Sequence, residues 1–313
     1  MNIGGYILRR LLGLFPLLLA ISFFAFVLIQ LSPSDPAEVC IRVNAMTPTP
    51  ELIEEMREEM GLNKPFLERY FDWIGHAVQG DFGKRYVDGK PVAGEMAKAL
   101  PPTLALAGTT ACLMLAVSIG CALVGVLFEG RWPDLVLRGF VFLLTSVPAF
   151  WAGLLFIWLF AVHFDLLPTG GLEGPSSLIL PAATLSLPYI AAYSRLLRAS
   201  MVQAREQNFT LYMKACGRSG GAVLRHVFRN SLQSSLTALG MSLPKLVAGT
   251  FVVECIFAWP GLGRLCVTAI FNRDYPVIQA YVLLMAVLFV VCNLLMDVFS
   301  ALVDPRLRER GLN

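Results

Sequence analysis

Long apolar runs alternate with short polar intervals along most of this chain of 313 residues. About 20 apolar residues in a helix cross the hydrocarbon core of a bilayer, and several runs reach that length. The pattern therefore predicts an all-α integral membrane protein with six transmembrane helices, at approximately residues 11–31, 103–128, 135–162, 178–197, 232–258 and 276–303. Prolines inside the third, fourth and fifth of these spans predict bent helices, since neighbouring helices can satisfy the carbonyl groups that proline leaves free.

Charge placement orients the predicted helices, because intervals rich in lysine and arginine face the cytoplasm. Arg9 and Arg10 precede the first span, and three arginines follow the last one. The interval 198–230 carries six basic residues and one acid, whereas the short intervals on the other side carry only Arg264 and Arg273. This asymmetry predicts that both termini are cytoplasmic.

The N-terminal third has a different organisation. A cleaved signal peptide is an alternative interpretation of the first apolar run, but that run is longer than a typical signal core and no small-x-small site follows it. We therefore expect a retained first helix in residues 1–34 and a small extracytoplasmic helical insert in 35–100. Two helices are predicted in the insert, one starting at Pro50 behind Thr49 and one starting at Pro65. The insert can be a structural cap or a contact surface for a docking partner.

Residues 101–313 form a predicted five-helix core with a cytoplasmic loop at 198–231. Within that loop, residues 209–216 can form a helix of about two turns. Gly217 follows, where a glycine can adopt the left-handed conformation and end the helix. Our hypothesis is that this loop helix docks onto a cytoplasmic engine and passes its movement into the membrane.

Three charged residues, Lys245, Glu254 and Asp297, fall inside predicted spans. A charge at mid-depth costs at least roughly 2.5–3.5 kcal/mol, so these side chains should face protein or water. Lys245 is the deepest, and either a structural ion pair or a substrate contact explains it. For Glu254 and Asp297, which lie nearer the span ends and can reach the interface, we favour structural roles. Lys245 and Glu254 are the candidate pathway residues.

Composition and motifs exclude other classes. With 56% hydrophobic and 15% charged residues, the chain is neither a soluble domain nor a nucleic-acid binder. It contains no phosphate-binding loop, no HExxH and no GxSxG, and its seven cysteines show no CxxC spacing. We therefore predict no catalytic, cofactor-binding or metal-ligating residues. Energy for any transport must come from another chain.

Several short motifs follow one another along the chain: LSPSDPA (31–37), GLNKP (61–65), GDFG (80–83), LPPTLALA (100–107), the loop motif ending at 217, RHVFRN (225–230), FAWPGLGR (257–264) and NRDYPVIQ (272–279). In order and spacing they resemble the permease subunits of binding-protein-dependent ABC importers for dipeptides, oligopeptides and nickel, over essentially the whole chain. Ser34 departs from the glycine that this family usually has there.

The resemblance gives the basic loop a role. In this family the loop carries the EAA-type coupling helix, which sits in a cleft of the ATPase subunit. Carried over by position, this implies the following ATPase-coupling residues: Phe209, Tyr212, Lys214, Ala215, Gly217, Arg225, His226, Arg229 and Asn230. The sequence departs at 211–213, where other importers show Glu-Ala-Ala, and at Gln233, where a proline is usual.

The resemblance also implies partners and location. It implies a translocation subunit, not an enzyme, in the bacterial inner membrane. The expected partners are a second homologous permease in a heterodimer, two ATPase subunits and an extracytoplasmic substrate-binding protein.

The substrate is indicated by fewer residues. FAWPG with AIFNRDYPVIQ, together with LPTGGLEGP and RNSLQ, looks most like permeases for nickel and for opine-type metallophores. Dipeptide or oligopeptide import is the alternative, and an ion-driven secondary carrier is a further one.

Overall fold

The computed structural model describes the backbone of residues 3–31 and 34–303, with the side chains of those residues except 3–12, 14, 233–241, 297 and 299–303. Regular structure in this part is helical, apart from one isolated bridge between Lys84 and Pro91. The predicted all-α class is therefore confirmed. The α-helices are α1 (Ile3–Gln30), α2 (Pro36–Val43), α3 (Pro50–Glu59), α4 (Phe66–Val78), α5 (Val92–Leu127), α6 (Trp132–Ser146), α7 (Ala149–Phe156), α8 (Ile179–Arg205), α9 (Asn208–Ala215), α10 (Gly220–Ile256), α11 (Leu262–Phe271) and α12 (Tyr275–Val303).

Three helical segments of the described chain, Val92–Leu127, Pro175–Arg205 and Tyr275–Met296, are each long and apolar enough to cross a membrane. Helices α6 and α7 together form a fourth candidate, bent by 103° between them. In α1, the apolar segment Phe15–Gln30 is shorter than these candidate spans. The predicted fifth span lies partly on residues whose side chains are not described.

The third predicted span differs from its expectation. A single kinked helix at 135–162 was predicted, whereas the structure has two helices separated by Val147 and Pro148. Val147 is extended, with φ −93° and ψ 124°. The residue before a proline avoids the helical region, and proline has no N–H to continue the ladder. The helix therefore breaks at Pro148, and a π-helical segment, Ile157–His163, follows α7.

The chain divides into two compact units. The loop unit comprises residues 104–259 and, at the end of the described chain, 292–303, and it contains the basic loop. The insert unit comprises residues 2–103 and 260–291.

In the insert unit, the two helices predicted after the first span are confirmed. The Thr49 hydroxyl accepts from Leu52 N–H at 3.3 Å and caps α3, with Pro50 in the first turn. Gly61, with φ +65°, follows α3, and α4 starts after Pro65. A further helix, α2, was not predicted, although Asp35 caps it and Pro36 begins it.

Aromatic side chains join α1 to α4. Tyr70 is buried, and its ring meets Phe23 edge-on at 5.3 Å between centroids. Its hydroxyl lies 2.8 Å from that of Ser22, which is fully buried on α1. Phe26 packs against the same group of rings. Burial of large rings with one satisfied polar pair fixes the insert to the first helix.

Helix α11 lies in the interval between the fifth and sixth predicted spans, where no helix was predicted. Leu262, Leu265, Cys266 and Ala269 repeat with helical spacing, and most of them pack against α5 and α12 in one apolar cluster. The N–H of Leu262 donates to the buried hydroxyl of Thr103 at 2.8 Å. Helical periodicity was therefore present, but the segment is too short to be recognised as a span.

Helix α8 is the centre of the loop unit. Its buried positions extend from Leu180 to Ala204, and it packs against α6, α7 and α10. Gly153 on α7 allows a close approach, because a Cβ there would lie 3.0 Å from the Thr184 methyl group. The N–H of Gly171, in the segment before α8, donates to the carbonyl of Phe257 at 2.8 Å. The two helices that flank the basic loop, α8 and α10, are also packed against each other.

Candidate functional site

Helix α9 occupies the centre of the basic loop. It runs Asn208–Ala215, within one residue of the predicted 209–216 at each end. Gly217 has φ +73°. Arg218 N–H donates to the carbonyl of Met213 at 3.1 Å. A left-handed glycine with this closing bond is a common helix stop, so the helix ends where the sequence predicts.

The inner face of α9 is packed against the loop unit. Phe209 and Met213, one turn apart, lie against a buried apolar cluster from α5, α8 and α10. The buried members of the cluster are Ala122, Val126, Leu197, Met201, Ala204, Val223 and Val227. Thr210 is fully buried, and its hydroxyl donates to the carbonyl of Ala204 at 2.7 Å. Apolar packing and a hydrogen bond therefore fix α9 to its flanking helices.

The outer face of α9 is exposed. Leu211 is 54% and Tyr212 72% exposed, and the chain from Lys214 to Gly217 also lies at the surface. Adjacent large side chains exposed on a short helix offer a surface that a partner can bind. Tyrosine and arginine are enriched in protein contact surfaces, and this loop offers both.

The start of α10 extends the same surface. Ser219 caps α10 by accepting from Ala222 N–H at 3.4 Å. All the predicted coupling residues on α10 are exposed: Arg225, His226, Arg229 and Asn230. The His226 ring meets Phe209 edge-on at 5.4 Å between centroids. The predicted set therefore separates into outward side chains and one inward member, Phe209.

A buried carboxylate joins α6 to α8 close to the loop. Asp134 is 1% exposed and accepts from Arg198 at 3.0 and 2.9 Å and from Arg138. The N–H of Gly130 adds a bond at 3.2 Å. A Cβ at Gly125 would lie 2.9 Å from the Arg198 Cδ, so glycine leaves room for the guanidinium. These contacts attach the α5–α6 turn to the helix that leads into the loop.

A second, more exposed contact reaches the same turn. Arg205, at the end of α8, donates to the carbonyl of Val126 at 3.0 Å and to Glu129 at 3.1 Å. Both partners of the ion pair are about 40% exposed. Such a pair adds little stability, so Asp134 is the main electrostatic anchor here.

The predicted pathway residues lie apart. Lys245 is exposed on α10 and follows the buried Pro244. Glu254, which was expected to be able to reach the interface, is fully buried. The nine-residue separation puts the two side chains on opposite faces, about 13 Å apart along the axis. Asp297 has its side chain outside the described residues.

Sequence reasoning missed the residues that hold α9 in place. Thr210 and Met213 share the inner face with Phe209, and their spacing along the helix was the available signal. Asp134 gave no local signal for its pairing with Arg198, which is 64 residues away. Within the part of the chain that is described, no three histidine, cysteine or acidic residues are grouped to hold a metal ion.

Family models match nearly the whole sequence. Residues 112–309 match the model described as "Binding-protein-dependent transport system inner membrane component". Residues 4–107 match "Binding-prot-dependent transport system membrane comp, N-term".

Two relatives match over nearly their full length. The metal-staphylopine import system permease protein CntB of Staphylococcus aureus (strain NCTC 8325 / PS 47) is 40% identical over 306 residues, covering 97% of this chain and 98% of the relative. The glutathione transport system permease protein GsiC of Escherichia coli (strain K12) is 36% identical over 307 residues, covering 98% and 99%.

Two solved structures share the fold. An amino acid ABC transporter crystallised with histidines aligns with a TM-score of 0.53 and 17% identity, covering 68% of this chain and 94% of that one. The MetNI methionine ABC transporter in inward-facing conformations aligns with a TM-score of 0.57 and 14% identity, covering 67% and 96%.

Proposed function

Because this chain belongs to the family of inner membrane components of binding-protein-dependent transport systems, we propose that it carries nickel or a metal–opine metallophore complex inward as the permease subunit of an ATP-driven importer. The 40% identity to a permease named for metal-staphylopine import supports this cargo. A dipeptide or oligopeptide is the second candidate, supported by the 36% identity to a permease named for glutathione, itself a peptide.

The proposed topology has six spans with both termini in the cytoplasm. Helices α5, α8 and α12 and the bent pair α6–α7 supply four spans, and α1 and α10 supply the other two. Helix α10 has 37 residues, or about 55 Å of helix. That length accommodates a span of about 30 Å and a cytoplasmic extension that reaches the basic loop.

The proposed assembly contains a related second permease, two ATPase subunits and an extracytoplasmic binding protein. Permeases of this family work with ATPase and binding-protein partners, which supports the proposal. The chain itself is a transport component.

The observation that carries the coupling role is that α9 has one buried face and one exposed face. Its inner face is buried through Thr210 and the apolar cluster, while Tyr212 on its outer face is 72% exposed. A helix that is packed on one face and exposed on the other can bind a partner and move together with the helices against which it packs. We propose that ATP binding closes the ATPase subunits and displaces α9. Helices α8 and α10 then tilt with it and exchange inward for outward access.

Substitutions on the outer face test this role. Tyr212→Ala should weaken binding of the ATPase subunits about tenfold, because an exposed tyrosine at a contact centre commonly contributes 1–2 kcal/mol. The thermal stability of the chain should not change. Glu206→Ala, at an exposed position outside α9, is the matched control and should bind normally. If the Tyr212→Ala chain bound the ATPase subunits as tightly as the unchanged chain does, α9 would not be the contact.

Coupling itself is tested inside cells. Gly217→Pro, and charge reversal at Arg225, should uncouple ATP hydrolysis from uptake while the chain still inserts into the membrane. Normal uptake by both variants would contradict the coupling role.

The cargo is tested by uptake in cells that lack this one gene. Labelled nickel is supplied with and without an opine-type chelator, and a labelled dipeptide is supplied in parallel. Loss of chelated-metal uptake alone supports the metallophore proposal, whereas loss of dipeptide uptake alone supports the second candidate. Transport by the reconstituted chain without ATPase subunits would instead indicate an ion-driven carrier.

A further inference from the structure

A groove of about 430 Å³ opens between α6 and α8 in the loop unit. Its lining combines apolar side chains with a serine and three arginines: Leu137, Val141, Phe142, Ser194, Arg138, Arg195 and Arg198. The apolar residues all come from α6, and Phe142 is 70% exposed. The α6 side of the groove is therefore apolar apart from Arg138, and the α8 side is polar and cationic.

The positive charge of the groove is only partly neutralised. Asp134 accepts from both Arg138 and Arg198, so one carboxylate serves two of the three arginines that line the groove. Arg195 is exposed, and among the described residues it forms no ion pair with a carboxylate. The groove consequently keeps an excess of positive charge that suits an anion.

Ser194 gives an independent indication of a ligand. Its side chain is buried, at 2% exposure, and its hydroxyl has no hydrogen-bond partner in the described structure. A buried hydroxyl without a partner is unfavourable. Ser194, Arg195 and Arg198 occupy one turn of α8, so an oxygen-rich anion in the groove could meet all three. An anion at this point would supply the missing acceptor.

We propose that the groove binds an anionic membrane phospholipid, with the phosphate of the headgroup at Ser194 and Arg195 and an acyl chain along Leu137, Val141 and Phe142. Basic pockets between membrane helices at the cytoplasmic side are suited to such headgroups. Arg195 lies three residues before the basic interval, about 4.5 Å along the helix, which is the expected headgroup depth in the proposed topology. A free phosphate would not account for the apolar side of the groove. The lipid would hold α8 where it leads into α9.

Native mass spectrometry can test this on the complex isolated through a tag on this chain. The complex is titrated with phosphatidylglycerol and with phosphatidylcholine carrying the same acyl chains. We expect phosphatidylglycerol to bind at least about tenfold more tightly, because its headgroup has a net negative charge that attracts the arginines, whereas the headgroup of phosphatidylcholine has no net charge. Arg195→Gln should weaken that binding about fivefold, whereas the exposed Arg218→Gln should not.

Ser194→Ala separates a ligand contact from a structural one. If the hydroxyl serves the lipid, this variant weakens phosphatidylglycerol binding about threefold and does not lower the melting temperature of the lipid-free complex. A lower melting temperature with unchanged lipid binding would overturn the proposal.

Three further outcomes would also overturn it. The first is equal binding of the two lipids. The second is equal loss of binding in the Arg195→Gln and Arg218→Gln variants. The third is displacement of phosphatidylglycerol by millimolar inorganic phosphate, which would identify a free-phosphate site. None of these depends on the transported cargo, so the result is independent of the metallophore proposal.

Discussion

At the scale of single residues, Gly217 ends α9 in a conformation that other residues adopt at a cost. Gly217→Ala should destabilise the loop by about 1–2 kcal/mol, because φ is +73° and a side chain there is strained. Nothing lies within 4 Å of the added Cβ, so the effect is one of backbone only. The measurement is transport per ATP hydrolysed, which should fall.

Gly221→Ala is the control for this prediction. It has the same free space around its Cβ and lies in the first turn of α10. Alanine favours a helix more than glycine does, so transport per ATP should stay unchanged. A fall of equal size in both variants would show that φ at Gly217 is not the cause.

Asp134 permits a comparison between a buried ion pair and an exposed one. Asp134→Asn leaves Arg198, 19% exposed, facing a neutral partner and should destabilise the loop unit by about 2–4 kcal/mol. Glu129→Gln breaks only the exposed pair with Arg205 and should cost less than about 1 kcal/mol. Thermal unfolding of the two variants in the same detergent measures the difference. Equal melting temperatures would mean that burial at Asp134 contributes nothing.

Asp274 predicts a pH dependence in the insert unit. Its side chain is 1% exposed. Burial raises the pKa of this carboxyl above its usual 3.8, although Tyr86 N–H donates to it and Arg85 lies 3.7 Å away. The folded state therefore favours the protonated form. The contribution of this group to the free energy of unfolding is fully present below pH 3.8 and is lost as the pH rises through the raised pKa. Thermal unfolding at stepped pH should show this slope, and Asp274→Asn should abolish it; a persistent slope would assign it to another group.

At the scale of elements, a side-chain hydrogen bond from α5 adds to the apolar contacts that hold the start of α11. Thr103→Val keeps the shape but leaves the Leu262 N–H without its acceptor, which should cost about 1–3 kcal/mol. Thr110→Val is the matched control on the same helix, since its hydroxyl donates to its own helix at the Leu106 carbonyl. Trypsin cleavage at Arg264 and Arg273 should accelerate in the first variant alone. Similar cleavage of both would indicate that α11 is held by its apolar contacts.

Several helix ends that depend on local signals could be predicted from the sequence, although the start of α2 at Asp35 and Pro36 was missed. Thr49 and Pro50 mark the start of α3, and Gly217 marks the end of α9, because caps and left-handed glycines act within a few residues. The break at Pro148 could be predicted only as a kink, since its 103° size depends on packing around α6 and α7. The pairing of Asp134 with Arg198 depends on the fold and leaves no trace in local spacing.

At the scale of the whole molecule, the proposed topology places the insert and the basic loop on opposite sides of the membrane. Cys216, the residue before Gly217, is exposed. A variant that keeps only this cysteine, produced without the ATPase subunits, should resist an impermeant maleimide in intact spheroplasts and react in inverted vesicles. A cysteine-free chain with Glu55→Cys in the exposed part of α3 should show the opposite pattern. Labelling of both from the same side would contradict the six-span topology.

The unbroken length of α10 has a consequence for the proposed movement. From Gly220 to Ile256 the helix has 37 residues, about 55 Å from end to end. It is therefore a lever whose short displacements at one end become larger ones at the other. A tilt of about 5° around its basic end would carry the far end by roughly 5 Å over that length. Small strokes of a partner would thus be amplified, and no unwinding of α10 would be needed to open a passage.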